Sequence, residues 1–362
     1  MEDIIKILVV DDSAFMRKSL TIILESDPSI KVIATGRDGE EGVKLAKQLK
    51  PDIITMDIEM PKMDGLTALK KIMAECPTPV LMVSSLTTEG AESTIKALEL
   101  GAVDFIAKEM SFVSVNIVKI KEEIIKKIKA IVHQNKLRIR LTKLQNLSGN
   151  SKTNFKSRTN VYKNDIPKLN YRALAMGIST GGPFALQKIM PLLSPKLNVP
   201  VFLVQHMPPK FTKSLAERLN SLSQIEIKEA ENNELVRNNV VYLAPGGQHM
   251  KLISQGMSNI KISITSEPTD SLNKPSVDVM MNSVLEVYGK NTLGVIMTGM
   301  GRDGAEAIAA LKKLGGYAIA QDEESCVVYG MPRAIVDAGN ADAILPLEKI
   351  PEIINKVLAN EK

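Results

Sequence analysis

Tryptophan is absent from this 362-residue sequence, aromatic residues make up 4%, and cysteine and histidine occur only two and three times. Each scarcity removes a class of function. Cys76 and Cys326 stand far apart without metal-ligand spacing, so neither a disulfide framework nor a zinc site is supported. Few aromatics leave little to stack on bases, and there is no helix-turn-helix candidate, so nucleic acid is not an expected partner. No apolar run reaches membrane-spanning length, and Met1-Glu2-Asp3-Ile4 lacks the basic region and apolar block of a signal peptide. Direct membrane insertion is therefore not expected, and a cytoplasmic location is.

What is present is enough chain for two cores, so two domains are the prior. The net charge of +5 is unevenly spread: between Lys119 and Arg172 fifteen Lys or Arg stand against Glu122, Glu123 and Asp165, giving +12 there and −7 elsewhere. A basic stripe confined to a connector reads as a solvated linker or a surface for an acidic partner.

In the first 120 residues, short apolar runs alternate with helix-period segments. Ile4 to Val10, Lys31 to Ala34, Asp52 to Met56, Val80 to Val83 and Val103 to Ile106 read as strands, and five β/α units imply an open parallel sheet. Functional residues of such a sheet belong beyond the carboxyl ends of its strands. Asp11 and Asp12 fall there after the first strand, Asp57 after the third, Ser84 at the end of the fourth and Lys108 after the fifth. Carboxylates converging on one crevice repel one another and call for a hard divalent cation such as Mg²⁺. Helix capping could account for Asp12, Ser13 or Asp64, but not for acids after two strands and a lysine after a third.

This half resembles a response-regulator receiver domain, over residues 1–122, through Asp11-Asp12-Ser13, Asp57 within Met56-Asp57-Ile58-Glu59-Met60-Pro61-Lys62-Met63-Asp64-Gly65, Ser84-Ser85 and Phe105-Ile106-Ala107-Lys108. The resemblance implies that Asp57 accepts a phosphoryl group from a histidine kinase. It implies also that Asp11, Asp12, Asp57 and the Glu59 carbonyl hold Mg²⁺, and that Ser84 and Lys108 bind phosphoryl oxygens. Glu109 departs from the pattern, standing where receivers usually carry a proline, which bears on the aim of Lys108.

Residues 123–170 read as a basic connector, helical and then flexible. Ile117, Ile120, Ile124, Ile128 and Ile131 recur at helical spacing, continued by Leu137, Leu141 and Leu144, while Lys129, His133, Lys136, Arg140 and Lys143 form a basic face. From Ser148 to Lys168 the chain turns to Ser, Asn, Thr and Lys, a flexible composition.

The second domain, residues 171–362, opens on the apolar run Ala173 to Met176 followed by Gly177-Ile178-Ser179-Thr180-Gly181-Gly182-Pro183. Strand, tight turn and helix are predicted, with the spacing G-x-S-x-G of a nucleophile elbow. A phosphate cradle or simple tight packing fits the same turn. Val199 to Gln205 reads as a buried strand delivering His206 to the same rim, and Leu293 to Met297 leads through Thr298-Gly299-Met300-Gly301-Arg302 to Asp303. One serine, one histidine and one aspartate, each after a different strand, are what an acyl-transfer triad needs. Taken singly, Ser179 and Asp303 could be helix caps and His206 a half-buried hydrogen-bonding residue. The order Ser, His, Asp differs from that of ordinary α/β-hydrolases.

The segments Gly177 to Gly182, Val204-Gln205-His206-Met207, Ala244-Pro245-Gly246-Gly247-Gln248-His249, Pro275-Ser276-Val277-Asp278-Val279, Met297 to Gly304 and Gln321 to Arg333 resemble the chemotaxis protein-glutamate methylesterases. The whole chain would then be α/β, with two doubly wound parallel sheets, flavodoxin-like and then Rossmann-like. The resemblance implies Ser179 as nucleophile, His206 as general base and acid, Asp303 as orienting carboxylate, oxyanion donors near Thr180 and Met300, and His249 lining the cleft. It implies no cofactor in this domain. The implied substrates are methylated glutamates of chemoreceptor cytoplasmic regions, with deamidation of receptor glutamines as a second reaction. Control by phosphorylation at Asp57, relieving a receiver packed over the catalytic rim, is the expected regulation. On the residues alone, a phosphate-binding output module, a hydrolase of small esters and a DNA-binding output through the basic connector remain rival classes.

Overall fold

A computed structural model of the protein describes residues 4–108, 117–147, 170–254 and 259–359. The chain divides into two compact units, Met1–Asn146 and Leu147–Lys362.

The first unit alternates strand and helix: β1 (Ile5–Val10), α1 (Ala14–Glu25), β2 (Ile30–Gly36), α2 (Gly39–Leu49), β3 (Ile53–Asp57), α3 (Gly65–Glu75), β4 (Val80–Ser85), α4 (Thr88–Glu99), β5 (Asp104–Lys108) and α5 (Ile117–Leu147). All pairings are parallel in the order β2-β1-β3-β4-β5. Ile7, Leu8, Ile53, Ile54, Val80 and Leu81 are fully buried, because a parallel sheet is covered on both faces and its strands must be apolar along their length. Helices start where short polar side chains stop them fraying: Ser13, Asp38, Asp64 and Thr87 each accept a backbone N–H of the first turn.

The helical periodicity expected in the connector is α5. Ile124, Ile128, Ile131 and Val132 are buried, and Lys127 reaches Asp104 Oδ2 at 3.1 Å. The helical part of the expected 123–170 connector therefore packs with the first unit. Residues 148–169 and Glu109 lie outside the described residues.

The second unit runs β6 (Ala173–Ile178), α6 (Gly182–Ile189), β7 (Val201–Gln205), α7 (Phe211–Leu222), β8 (Glu226–Glu229), β9 (Val240–Leu243), β10 (His249–Ser254), β11 (Ile260–Thr265) and α8 (Val277–Tyr288). It closes with β12 (Thr292–Ile296), α9 (Ala305–Lys313), β13 (Tyr317–Gln321), α10 (Met331–Asp337), β14 (Ala343–Leu345) and α11 (Ile350–Leu358). Its parallel sheet has the order β14-β13-β12-β6-β7-β9-β8, with β10 and β11 forming a separate antiparallel pair. From β6 the chain builds outward through β7, and later returns to lay β12 on the other side of β6. The strand order thus reverses between β6 and β12, the place where an open α/β sheet leaves a crevice for a ligand. Phe202 and Tyr242 stack at 6.0 Å between ring centroids and Tyr288 packs on Phe202, within one buried core cluster of this unit. Among the described residues no helix is long and apolar enough to cross a membrane.

Candidate functional site

The first unit brings Asp11, Asp12 and Asp57 together as expected, with one carboxylate oxygen of each within 4.8 Å of the others. Asp11 and Asp57 are buried and Asp12 is exposed. Ser13 N–H donates to Asp11 Oδ1 at 2.9 Å, Ile58 N–H donates to Asp57 Oδ1 at 2.8 Å, and Arg17 Nη1 donates to the Asp11 and Asp12 carbonyls. Lys108 Nζ lies 2.7 Å from Asp57 Oδ2 and 3.1 Å from Asp11 Oδ2, so its aim is onto the acids. Burial pushes the Asp57 carboxyl up to about 6; the charge of Asp11 adds to this and Lys108 only partly offsets it. Glu59 is exposed in the turn beyond Asp57. The ligand atoms that converge here are all carboxylate oxygens, which fits a hard divalent cation.

Ser84 is the penultimate residue of β4, close to its expected place, but its hydroxyl is employed elsewhere. It is 1% exposed, donates to Gly90 O at 3.1 Å, and accepts from Thr94 Oγ1 at 2.7 Å.

In the second unit Ser179 follows β6 directly. Gly181 turns the chain at φ +77°, a conformation that disfavours a side chain, and Gly182 N–H donates back to Ser179 O at 2.7 Å. The turn is held from the far side of the crevice as well: Ser179 N–H donates to Thr298 O at 2.9 Å, and a Cβ on Gly299 would stand 2.8 Å from Ser179 Cβ. Strand pairing sets Ile178 beside Gln205, so Ser179 and His206 leave adjacent strands side by side, and His206 N–H donates to Ile178 O.

His206 Nε2 lies 2.8 Å from Asp303 Oδ2. Asp303 accepts three further hydrogen bonds, from Ser276 Oγ at 2.9 Å, Val277 N–H at 2.8 Å and Asp278 N–H at 2.9 Å. The carboxylate thus sits on the N-terminus of α8, where free N–H groups and the helix dipole favour an anion. Burial alone would push Asp303 up. The hydrogen bond and charge of His206 and the Asp278 and Val277 N–H groups outweigh it, holding the carboxyl well below the usual range. An ionised carboxylate only accepts, so Nε2 carries a proton, and in the neutral ring the lone pair is on Nδ1. Asp278 has the opposite fate: burial, with the charge of Asp303 beside it, pushes its carboxyl up to about 6, while Ala307 N–H donates to its Oδ1 at 2.8 Å.

His249 departs from the expectation that it lines the cleft. It is 0% exposed, and its Nδ1 accepts from Ser276 N–H at 3.2 Å, which leaves Nε2–H to donate to Pro268 O at 3.2 Å. Burial lowers its pKa, in keeping with a neutral ring. Its antiparallel strand carries it beneath the helix cap rather than to the rim, so it braces Ser276, which in turn holds Asp303. Thr180 is buried, its carbonyl accepting from Thr298 Oγ1 at 2.8 Å, and Met300 is half-buried in the turn after Gly299. Cys76 and Cys326 are both free. Sequence reasoning assigned no role to Ser276, Asp278 or Thr298, although Pro275-Ser276-Val277-Asp278 carries the look of a helix start.

Residues 174–354 match the CheB methylesterase family and residues 7–117 the response regulator receiver domain. The chain belongs to the CheB methylesterase family. A Nitratidesulfovibrio vulgaris protein named protein-glutamate methylesterase/protein-glutamine glutaminase 2 is 46% identical over 97% of this chain and 98% of its own length. A Pyrococcus abyssi relative of the same general name is 45% identical over 97% of this chain and 92% of its own. Among solved structures, the CheB methylesterase catalytic domain of Thermotoga maritima aligns with a TM-score of 0.50 and 41% identity, covering 52% of this chain and 100% of that one. Both sheets are thus accounted for by family membership: a receiver, and then a methylesterase domain whose switch-point crevice holds Ser179, His206 and Asp303.

Proposed function

We propose that this chain is a phosphorylation-regulated serine esterase that hydrolyses glutamate γ-methyl esters on the cytoplasmic domains of chemoreceptors, and also deamidates receptor glutamines. The observation that carries the reading is the 2.8 Å contact between His206 and an ionised Asp303, beside a serine on a strand-to-helix elbow. Because Asp303 holds Nε2–H, Nδ1 is the nitrogen that takes the Ser179 proton. Ser179 Oγ attacks the ester carbonyl carbon, and the resulting oxyanion is held by the N–H groups of Thr180 and Met300, each such donor being worth roughly 2.7 to 4 kcal/mol. His206 returns the proton to the departing methoxide, so methanol leaves. Water, deprotonated by the same nitrogen, then releases the glutamate and restores Ser179. With a glutamine substrate the leaving group is ammonia.

In the receiver, Asp11, Asp12, Asp57 and the Glu59 carbonyl would hold Mg²⁺, which supplies charge neutralisation for phosphoryl transfer to Asp57 from a histidine kinase. Lys108 already stands where a phosphoryl oxygen would arrive, whereas the Ser84 hydroxyl must leave Gly90 O to reach it. Phosphorylated Asp57 is read as raising esterase activity.

The test is methanol release from methylated receptor membranes by wild type and Ser179→Ala, with and without a small-molecule phosphodonor and Mg²⁺. Release that needs Ser179 and rises with phosphodonor is expected. Serine-dependent release without stimulation overturns the regulatory part, and no release from folded protein overturns the whole.

A further inference from the structure

Gln205, the last residue of β7, is 2% exposed, and its amide touches both halves of the reacting pair. Nε2 donates to Ser179 O at 3.1 Å and to His206 O at 3.0 Å, so both of its N–H groups are spent on the carbonyls of the nucleophile and the base. The reverse orientation would set Oε1 against two carbonyl oxygens, so the network fixes which way the amide points. Oε1 itself is buried without a hydrogen-bond partner. It lies so close to Gly182 that a Cβ there would stand 1.9 Å away. An unpaired buried acceptor is a cost that an apolar side chain of the same size would not carry, and it calls for a reason.

The reason lies in the peptide plane. Ser179 O and Thr180 N–H belong to one planar trans peptide and point in opposite directions. Pinning the Ser179 carbonyl between Gln205 Nε2 and Gly182 N–H therefore sets the direction of the Thr180 N–H, the first oxyanion donor. The second N–H of the same rigid amide pins the carbonyl of His206.

We propose that Gln205 is a positioning residue that aims the Thr180 N–H at the developing oxyanion and fixes the His206 backbone relative to Ser179. This rests on the serine-esterase reading, and the positions tested are outside the triad. Gly182 is explained by the same contact: it is empty at Cβ because the Gln205 amide occupies that space.

The experiment uses the full chain and two readouts, steady-state methanol release and the rate at which a fluorophosphonate labels Ser179. Gln205→Met keeps size and removes the donors; it is expected to lower kcat by roughly 10- to 100-fold with KM within about twofold, and to slow labelling in parallel, as loss of transition-state stabilisation requires. Gln205→Glu is expected to lose activity at neutral pH and to regain it relative to wild type as pH falls and a carboxyl proton restores one donor. Gly182→Ala, which displaces the amide without altering it, should be strongly non-additive with Gln205→Met. A folded Gln205→Met with a lower melting temperature but wild-type kcat and labelling overturns the proposal, as does a Gln205→Glu to wild-type ratio that is flat with pH. Failure of the wild type itself to be labelled at Ser179 would overturn the esterase reading instead, so the two failures are told apart.

Discussion

Both units crowd carboxylates at the carboxyl ends of a parallel sheet, and they settle the crowding in opposite ways. In the receiver the strain falls on the proposed phosphoryl acceptor: Asp57 is buried beside Asp11 and its carboxyl rises to about 6, with Lys108 as partial relief. In the methylesterase domain the strain is moved onto a bystander. Four donors converge on Asp303 and keep it ionised, while its neighbour Asp278 rises to about 6. On the proposed function, the rim that takes a cation and a phosphoryl group is left short of positive charge, and the rim that orients an imidazole is completed by the protein itself. Two carboxyls whose surroundings drive them apart mark out their separate roles.

The largest effect expected from breaking this contrast is at the nucleophile. Ser179→Ala should lower methanol release by on the order of 10⁴-fold or more, leaving only background, with the fold intact by circular dichroism. Asp303→Asn keeps the shape of the carboxylate but donates where it should accept, and should cost on the order of 10³-fold in kcat. Because the same carboxylate caps α8, this variant should also melt at a lower temperature. Asp57→Asn should abolish stimulation by a phosphodonor while leaving unstimulated hydrolysis within about twofold; full stimulation in that variant would remove the receiver's rim from the regulation. The smallest effect concerns the bystander. A carboxyl raised in the folded state contributes stability that is present below the unfolded pKa and is lost as pH rises through the folded one. The stability of wild type relative to Asp278→Asn should therefore fall between about pH 4 and 6, by about 1 kcal/mol after solvent screening. Chemical denaturation of both proteins across that range is the measurement. A difference that stays constant with pH would mean that Asp278 does not carry the displaced strain.

The frame of both units was legible because buried parallel strands are apolar along their whole length, so runs such as Ile53–Met56 and Val201–Val204 stand out between helix-period segments. Ser179, His206 and Asp57 were legible for the same reason, each standing at the end of such a run. What could not be read are contacts made across long separations. Nothing near Asp303 in sequence announces that its partners begin 25 residues earlier, at Asp278 N–H, or that His249 braces them from below. His249 was misplaced because the β10–β11 hairpin, which buries it, has no counterpart in a purely parallel reading. The isoleucine stripe of α5 gave the helix, but periodicity says only that a face is covered and not by what. Ser84 shows a third limit: its place near the end of β4 follows from pattern, whereas the direction of its hydroxyl depends on Thr94 and Gly90.

The Asp303 carboxylate has one contact from His206 and three from the cap of α8. The larger share of its support is therefore in place whatever the state of the imidazole. In the proposed reaction, when His206 takes up the Ser179 proton, the anion facing it is already surrounded by dipoles held in place by the cap, and none of them has to swing round as water would. The reorganisation that charge separation demands in solution was completed when the chain folded, and each turnover begins from that arrangement.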